Sequence, residues 1–370
     1  MIRYHVLLEP LTPIHIGSGE RIAPEEYLIR DNQLVRFNAS RVMADFTPGQ
    51  RRTFEAMLHG GKFQEAQKRL RHSCCMEHEC YRVPMGSESG GELARALNNP
   101  ERKAEVHMFV RNGADGRVLI PGSSIKGAMR TALVNHFLHA EPDRFSEIKE
   151  TVRQQNKKHQ WRTLEESTLG FAHPEMEWDP LRLLKVGDTV VPEGRTRVDR
   201  VINWNPDKGE SAKMQMHFER LMSWADSDKE SFAVPVELSV DDTAAHHPCN
   251  RRRFTGYVPT WDVLTKACND FYLQRLRDEA DRFFPKPKRF DWGRLCKQNE
   301  KGYQRINLDI KKRILLRIGR FSQHESLSVD DLRQGEDKEG KPIAKGKTRN
   351  MCVADRGHLP FGWVLLTLVE

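Results

Sequence analysis

The chain has 370 residues, 38% hydrophobic and 30% charged, with 60 Lys and Arg against 52 Asp and Glu for a net charge of +8 and a pI near 9.1. A packed core is feasible, in one large domain or two smaller ones, no apolar run is long enough to span a bilayer, and the broken N-terminal stretch MIRYHVLLEPLTP does not read as a signal peptide. The basic balance favours a polyanionic partner, nucleic acid ahead of an acidic membrane, and seven cysteines in such a chain point to reduced thiols in the cytoplasm.

In chain order, YHVLLEPLTPIHIGSG predicts an apolar strand, a proline kink and a glycine-rich turn. EEYLIRDNQLVRF predicts a hairpin in which YLIR and LVRF flank DNQ. SRVMADF and RRTFEAMLHGGKFQEAQKRLRHS predict helices with a break at Gly-Gly, and CCMEHECYRVPMGSESGG reads as irregular. KAEVHMFVRNGADGRVLIPGSS contains a hairpin turning at NGADG, and IPGSSIKGAMRTAL follows it, so the order is strand, turn, helix. Residues 134–180 are polar and mostly helical, and LRLLKVGDTVV and FAVPVELSV are strand signals. WDVLTKACNDFYLQRLRDEADRFF predicts a long amphipathic helix stopped by PKPK. KKRILLRIGRF alternates apolar and basic residues, DDLRQGEDKEGKPIAKGKTRN reads as a loop mobile in isolation, and PFGWVLLTLVE closes the chain as a strand. Strands at both ends with helices between make the class α+β, with no clean linker and no exact repeat.

The stretch IPGSSIKGAMRTAL carries a local conflict. Lys126 falls in the first helical turn, where the dipole disfavours a cation. Gly127 follows, where alanine would be better by about 1 kcal/mol. Ile125, Ala128, Met129, Ala132, Leu133, His136 and Phe137 recur at helical spacing as one buried face, with Lys126 and Arg130 four apart on another. Ser123 or Ser124 can cap the helix, so free N–H groups, hydroxyls and two cations converge as at a helix-terminal phosphate site. An ordinary capped helix with a surface Lys/Arg pair fits this stretch equally well. Gly17 and Gly19 could likewise offer N–H groups to a phosphate, although a tight turn explains them more simply. Lys311, Lys312, Arg313, Arg317 and Arg320 surround a short apolar run, where Gly319 allows a turn and Phe321 suits base stacking; the plainer reading is a solvated edge strand.

Other chemistry is excluded or weak. EGKPIAKGKTR fails the nucleotide P-loop pattern because Pro342 follows Lys341 where Ser or Thr is required. His72, Cys74, Cys75, His78 and Cys80 have donor types that suit zinc, with HHPC at 246–249 as a distant supplement, but the spacing is not a C-x-x-C pairing and metal-free thiols are the expectation. There is no G-x-S-x-G and no H-E-x-x-H, and the pairs Asp241-Asp242 and Glu25-Glu26 read as solvated acids.

Taken together, LTPIHIGSGE, IPGSSIKGAMRTAL and RIGRFSQHES with KGKTR and LPFGW resemble the RAMP proteins of type III CRISPR systems, within their type III-A (Csm) branch. The resemblance rests on the N-terminal third and the C-terminal sixth, with little to match over residues 140–300. It implies an RRM-like (ferredoxin-like) βαββαβ RAMP core in a single domain over residues 1–370, with large helical and loop insertions, chiefly across 140–300. It implies a non-catalytic RNA-binding subunit without a cofactor, serving antiviral defence in the cytoplasm. Such a subunit binds and caps the guide RNA (crRNA) towards its 3′ end and supports guide maturation and complex assembly. Its other neighbours would be the adjacent backbone RAMP subunit and the small subunit of the Csm complex, with target RNA nearby. The family's RNA-contacting motifs fall on Gly17, Ser18, Gly19, Ser123, Ser124, Lys126, Arg130, Gly319 and Arg320, with Lys347 and Arg349 in the matching C-terminal motif. One departure matters. Where the cutting backbone RAMP carries an aspartate, the nearest residue here is Glu25, preceded by Pro24 and one position off, so no target-RNA cleavage is expected. The alternative within the superfamily is an endoribonuclease that processes guide precursors, for which His15 would be the acid or base. A histidine alternating with Ile14 and Ile16 reads as structural instead. A scaffold whose basic surface meets acidic neighbours is the third reading.

Overall fold

The structure is a computed structural model; it describes residues 1–99, 104–172, 176–210, 216–226, 231–243, 258–284, 311–330, 346–355 and 357–369, with short pieces between 296 and 343. Seven elements form its centre: β1 (Ile2–Pro10), α1 (Gly122–Ala140), β2 (Leu184–Val186), β3 (Val234–Val240), α2 (Trp261–Phe283), β4 (Arg313–Arg317) and β5 (Trp363–Leu368). The five strands make one sheet in the order β4-β5-β1-β3-β2, antiparallel at every junction. Read as β1-α1-β2-β3-α2-β5, the spatial order is fourth, first, third, second. That is the ferredoxin-like arrangement expected, with β4 added as an extra edge strand.

The residue pattern accounts for this sheet. In β3, VPVELSV buries every second side chain, the mark of a strand with one covered face. The helices cover that face: α1 and α2 pack on one another, and the Tyr272 hydroxyl donates to the Ala128 carbonyl at 3.0 Å. The unpaired edge of β4 does not stay open. Asn269 of α2 donates to the Arg313 carbonyl and accepts from the Leu315 amide, both at 2.9 Å, which blunts the edge against strand addition. Helix α1 is buried more broadly than a single stripe, because helices Pro142–Arg153 and Lys157–Leu169 cover its far side.

A second sheet runs Gly17–Ile22, Val106–Phe109, Met216–Leu221, Thr196–Asn205, Arg349–Ala354, Gly357–Pro360. Its interior is charged. Arg220 and Asp199 are fully buried, and Arg220 grips Asp226 through two bonds of 2.6 Å and Asp199 through Nε at 2.8 Å. Such a cluster is tolerable only because every charge is matched and hydrogen-bonded. A third, three-stranded sheet (Tyr27–Arg30, Gln33–Phe37, Glu79–Pro84) and helices Ala39–Ala44, Pro48–His59 and Phe63–Ser73 enclose a small core of Leu28, Val35, Phe37, Phe54 and Leu70 among others. The additions to the ferredoxin-like core are therefore not confined to residues 140–300; a large one lies between β1 and α1.

Local expectations differ at a few points. The hairpin turns on two residues, Asp31 and Asn32, both with positive φ, and Gln33 joins the strand. The stretch read as irregular holds strand Glu79–Pro84 and helix Ser87–Leu97. Its glycines are there for close packing: a Cβ on Gly90 would overlap the Asn32 amide, and one on Gly86 the Asp199 carboxylate. Strands Arg349–Ala354 and Gly357–Pro360 lie in a stretch without sustained apolar alternation. HHPC, PKPK and about half of the lysine-rich C-terminal stretch lie outside the described residues. Among those described, no helix is long and apolar enough to cross a membrane.

Candidate nucleic-acid interface

The start of α1 is built differently from the capped helix expected. Pro121 is the N-cap, extended at φ −64° and ψ 131°, and offers no side-chain cap. Ser123 and Ser124 therefore lie inside the first turn rather than before it. Gly122 N–H donates to Asp188 Oδ1 at 2.8 Å and Ser124 N–H to the Pro121 carbonyl at 3.0 Å. Among the described residues Ser123 N–H has no protein acceptor. Gly122 is required by contact, since its Cβ would overlap the Val186 carbonyl of β2. Gly127 is exposed and a Cβ there would meet nothing within 4 Å. Ser123, Lys126 and Gly127 stand at i, i+3 and i+4, on one side of the helix.

The two other glycine turns meet this helix end. Gly319 has φ +89°, and its Cβ would lie 2.6 Å from the His15 carbonyl. That carbonyl accepts from Arg320 N–H at 2.9 Å, so the turns at 15–17 and 319–320 are hydrogen-bonded to each other. Gly362, at φ +95°, closes the same corner by donating to the Pro13 carbonyl and accepting from Ile318 N–H, both at 2.8 Å. Together the three segments line one groove of about 400 Å³, whose walls include Gly17, Ser123, Ser124, Gly127, Gly319 and Arg320. Ser322 and Leu327 also line it and were missed from sequence; Leu327 is a 59%-exposed leucine directly after the QHES segment, which gave no periodic signal. Ser18 and Gly19 are exposed beside the groove, with Gly19 at φ +91° and Ser18 Oγ accepting from Glu20 N–H at 3.3 Å.

The cations divide into two kinds. Arg320 is exposed, makes no ion pair among the described residues, and stands 5.5 Å from the Phe218 ring centroid. Lys126 is half-buried, and burial lowers its pKa against the pull of Asp179. Arg130 is turned inward, bonded through Nε to Glu165 and through Nη1 to Asp179 at 2.6 Å, so it ties α1 to helix Lys157–Leu169 rather than facing the groove. Arg349 is 4% exposed, with Nε 2.9 Å from Glu279 and Nη2 3.0 Å from Glu325. It belongs to the interior, not to a ligand surface. Arg317 is equally buried against Glu279, and Phe321 packs edge-on to Phe218 inside the core, which removes it as a stacking platform. Lys347 is exposed in the turn before strand Arg349–Ala354 and does not line the groove.

The groups considered for catalysis are also held. His15 is 2% exposed, its Nδ1–H donates to the Glu219 carbonyl at 2.6 Å, and burial pushes its pKa down to about 4. Glu25 accepts from Gln67 Nε2 at 3.0 Å at the edge of the three-stranded sheet. The five thiols and imidazoles at 72–80 do not converge on one point: His72 bonds the Lys68 carbonyl, Cys74 packs in the small core, and His78 is engaged by Asp45 with Cys75 Sγ 3.2 Å from its Nδ1. Among the described residues no three such donors converge as a metal site.

The RAMP superfamily profile matches residues 7–203, more than half of the chain. The chain belongs to the RAMP superfamily. A protein called CRISPR system Cms protein Csm5 from Mycobacterium tuberculosis is 26% identical over 149 residues, 37% of this chain and 40% of that protein. The Methanocaldococcus jannaschii protein of the same name is 22% identical over 321 residues, 84% of this RAMP chain and 68% of that protein. The match thus spans about two fifths of the first relative's length. Among solved structures, a chain of a Csm–crRNA–target RNA ternary complex of a type III-A CRISPR-Cas system superimposes with a TM-score of 0.64 at 17% identity, covering 100% of both chains. Csm5 of T. onnurineus gives a TM-score of 0.56 at 18% identity, covering 97% of this chain and 99% of that one. At these identities the structures establish the shared α+β RAMP fold.

Proposed function

We propose that this RAMP protein is an RNA-binding subunit of a type III-A Csm effector complex, which holds the guide RNA towards its 3′ end and does not cut RNA. The observation that carries this is the convergence of three turns on one groove, at Gly17, at Ser123, Ser124 and Gly127, and at Gly319 and Arg320. The groove offers a helix N-terminus whose Ser123 N–H is unengaged among the described residues, serine hydroxyls, glycine surfaces that a ligand backbone can approach, and the guanidinium of Arg320, which makes no ion pair among the described residues. Those are the elements of phosphate holding without base readout. The relatives named Csm5 and the ternary-complex chain support the complex, the guide and the neighbouring subunits as partners. The buried, hydrogen-bonded His15 supports the non-catalytic reading over the endoribonuclease, because a general base must reach its proton.

Guide-RNA binding by fluorescence anisotropy tests the proposal across salt concentrations. Arg320→Ala should weaken binding about tenfold and lower the slope of log K against log salt by about one. Unchanged affinity and slope in that variant would remove the groove as the RNA site.

A further inference from the structure

The groove is more aliphatic than a site that holds phosphate alone requires. Ile16, Ala128, Ile318 and Leu327 line it together with Arg320, and no aromatic ring does so among the described residues. Ile16 and Ile318 are buried and Ala128 is half-buried, so most of their surface is already covered by protein. Leu327 is the exposed one. A single exposed leucine on a surface is ordinary, but this one is held still in the wall of a groove. Its N–H donates to the His324 carbonyl at 3.1 Å, closing the short helix Gln323–Ser326. The chain before and after it is gripped by one buried guanidinium: Arg275 donates to the Glu325 carbonyl at 2.6 Å and to the Ser328 carbonyl at 3.3 Å. Ser328 Oγ also donates to the His324 carbonyl at 2.8 Å. Leu327 is therefore open as a side chain and fixed as a backbone. A ligand that covers such a residue gains apolar burial with little ordering cost.

We propose that the groove takes one whole nucleotide of the RNA strand, base included, and that the ring face of that base packs on the aliphatic wall and covers Leu327. This rests on the guide-holding reading above and adds what the groove does with the base. The volume of about 400 Å³ suits a single small ligand unit. A phosphate oxygen seeks donors and gains nothing from a leucine, whereas a base has an apolar face that does. Aliphatic carbon offers no donor or acceptor, so the contact adds affinity without choosing among the four bases.

Single abasic sites scanned along the guide RNA, with binding to the full chain read by fluorescence anisotropy, test this. With the parent protein, an abasic site at the seated position should weaken binding about fivefold, while exchanging that base for any other should change affinity by less than about twofold. Leu327→Ala should weaken binding of intact RNA about fivefold and cause no further loss on RNA abasic at that position, since both changes remove the same contact. Leu327→Met, which keeps an apolar side chain of similar volume, should retain the parent affinity. Neither substitution touches the core, because Leu327 is exposed. Arg320→Ala is the control for the groove itself. If Arg320→Ala weakens binding while Leu327→Ala and every abasic RNA bind as the parent pair does, the inference is overturned and the guide-holding reading stands. If Arg320→Ala and Leu327→Ala both bind guide RNA as the parent does, both are overturned. Losses from Leu327→Ala and the abasic site that add in full, or a base exchange as damaging as the abasic site, also overturn the inference.

Discussion

Gly122 and Gly127, five residues apart in α1, serve different purposes. The first lets the helix end lie against the Val186 carbonyl, where any Cβ must displace backbone. Gly122→Ala should therefore destabilise the fold by about 1–3 kcal/mol. Gly127 faces open space, so alanine should raise stability by about 0.5–1 kcal/mol through helix propensity. The RNA reading adds that the same Gly127→Ala change weakens guide binding. Urea denaturation and anisotropy on the two variants measure both quantities, and a more stable Gly127→Ala with full RNA affinity would leave that glycine unexplained. The arginines separate in the same way. Arg349→Ala leaves Glu279 and Glu325 short of a buried partner and should cost about 3 kcal/mol of stability. Arg320→Ala, at an exposed site without an ion pair among the described residues, should shift stability by less than about 0.5 kcal/mol.

Among the elements, regular ones were legible and packed ones were not. The alternation in VPVELSV and the periodicity of residues 261–283 report burial on one face, and both elements form over the expected residues. Helix Ser87–Leu97 was hidden because its buried face is partly Ser89 and Gly90, small residues chosen for contact with Asp199 and Asn32. A hydrophobicity pattern does not register such packing. The three glycine turns could each be named from the chain, but their meeting depends on the register of β1 and β5 and on the bond from Arg320 to the His15 carbonyl. Arg130 and Arg349 look like ligand cations in sequence because their carboxylate partners lie 35, 49, 70 and 24 residues away. The second sheet carries its own prediction. His15, His107 and His217 are buried there, and burial pushes each pKa down to about 4. The unfolded chain takes up protons at these histidines from about pH 6.5 downward, while the folded chain does not until about pH 4. Each therefore removes stability as pH falls through that window. His107 stacks flat on Phe218 at 4.2 Å, so His107→Phe keeps the shape and deletes one titrating group. Urea midpoints at pH 7.5 and 5.0 should differ less in His107→Phe than in the parent; an equal or larger difference would contradict the assignment.

At the scale of the whole molecule, the ferredoxin-like sheet brings the ends of the chain together. β1 pairs with β5 across more than three hundred residues, and that pairing sets the turn after β1 beside the turn after β4. Helix α1 then points its N-terminus into the corner they leave. In the proposed reading, the basic charge of the chain, +8 overall, would steer RNA to the surface and the groove would give it one place to be held. Crosslinking of a photoreactive guide RNA to the purified protein, with peptide mapping, tests this convergence directly. The account predicts crosslinks in all three segments, residues 15–20, 122–130 and 317–328. Crosslinks confined to other basic stretches, such as residues 62–72, with none in those segments, would contradict it.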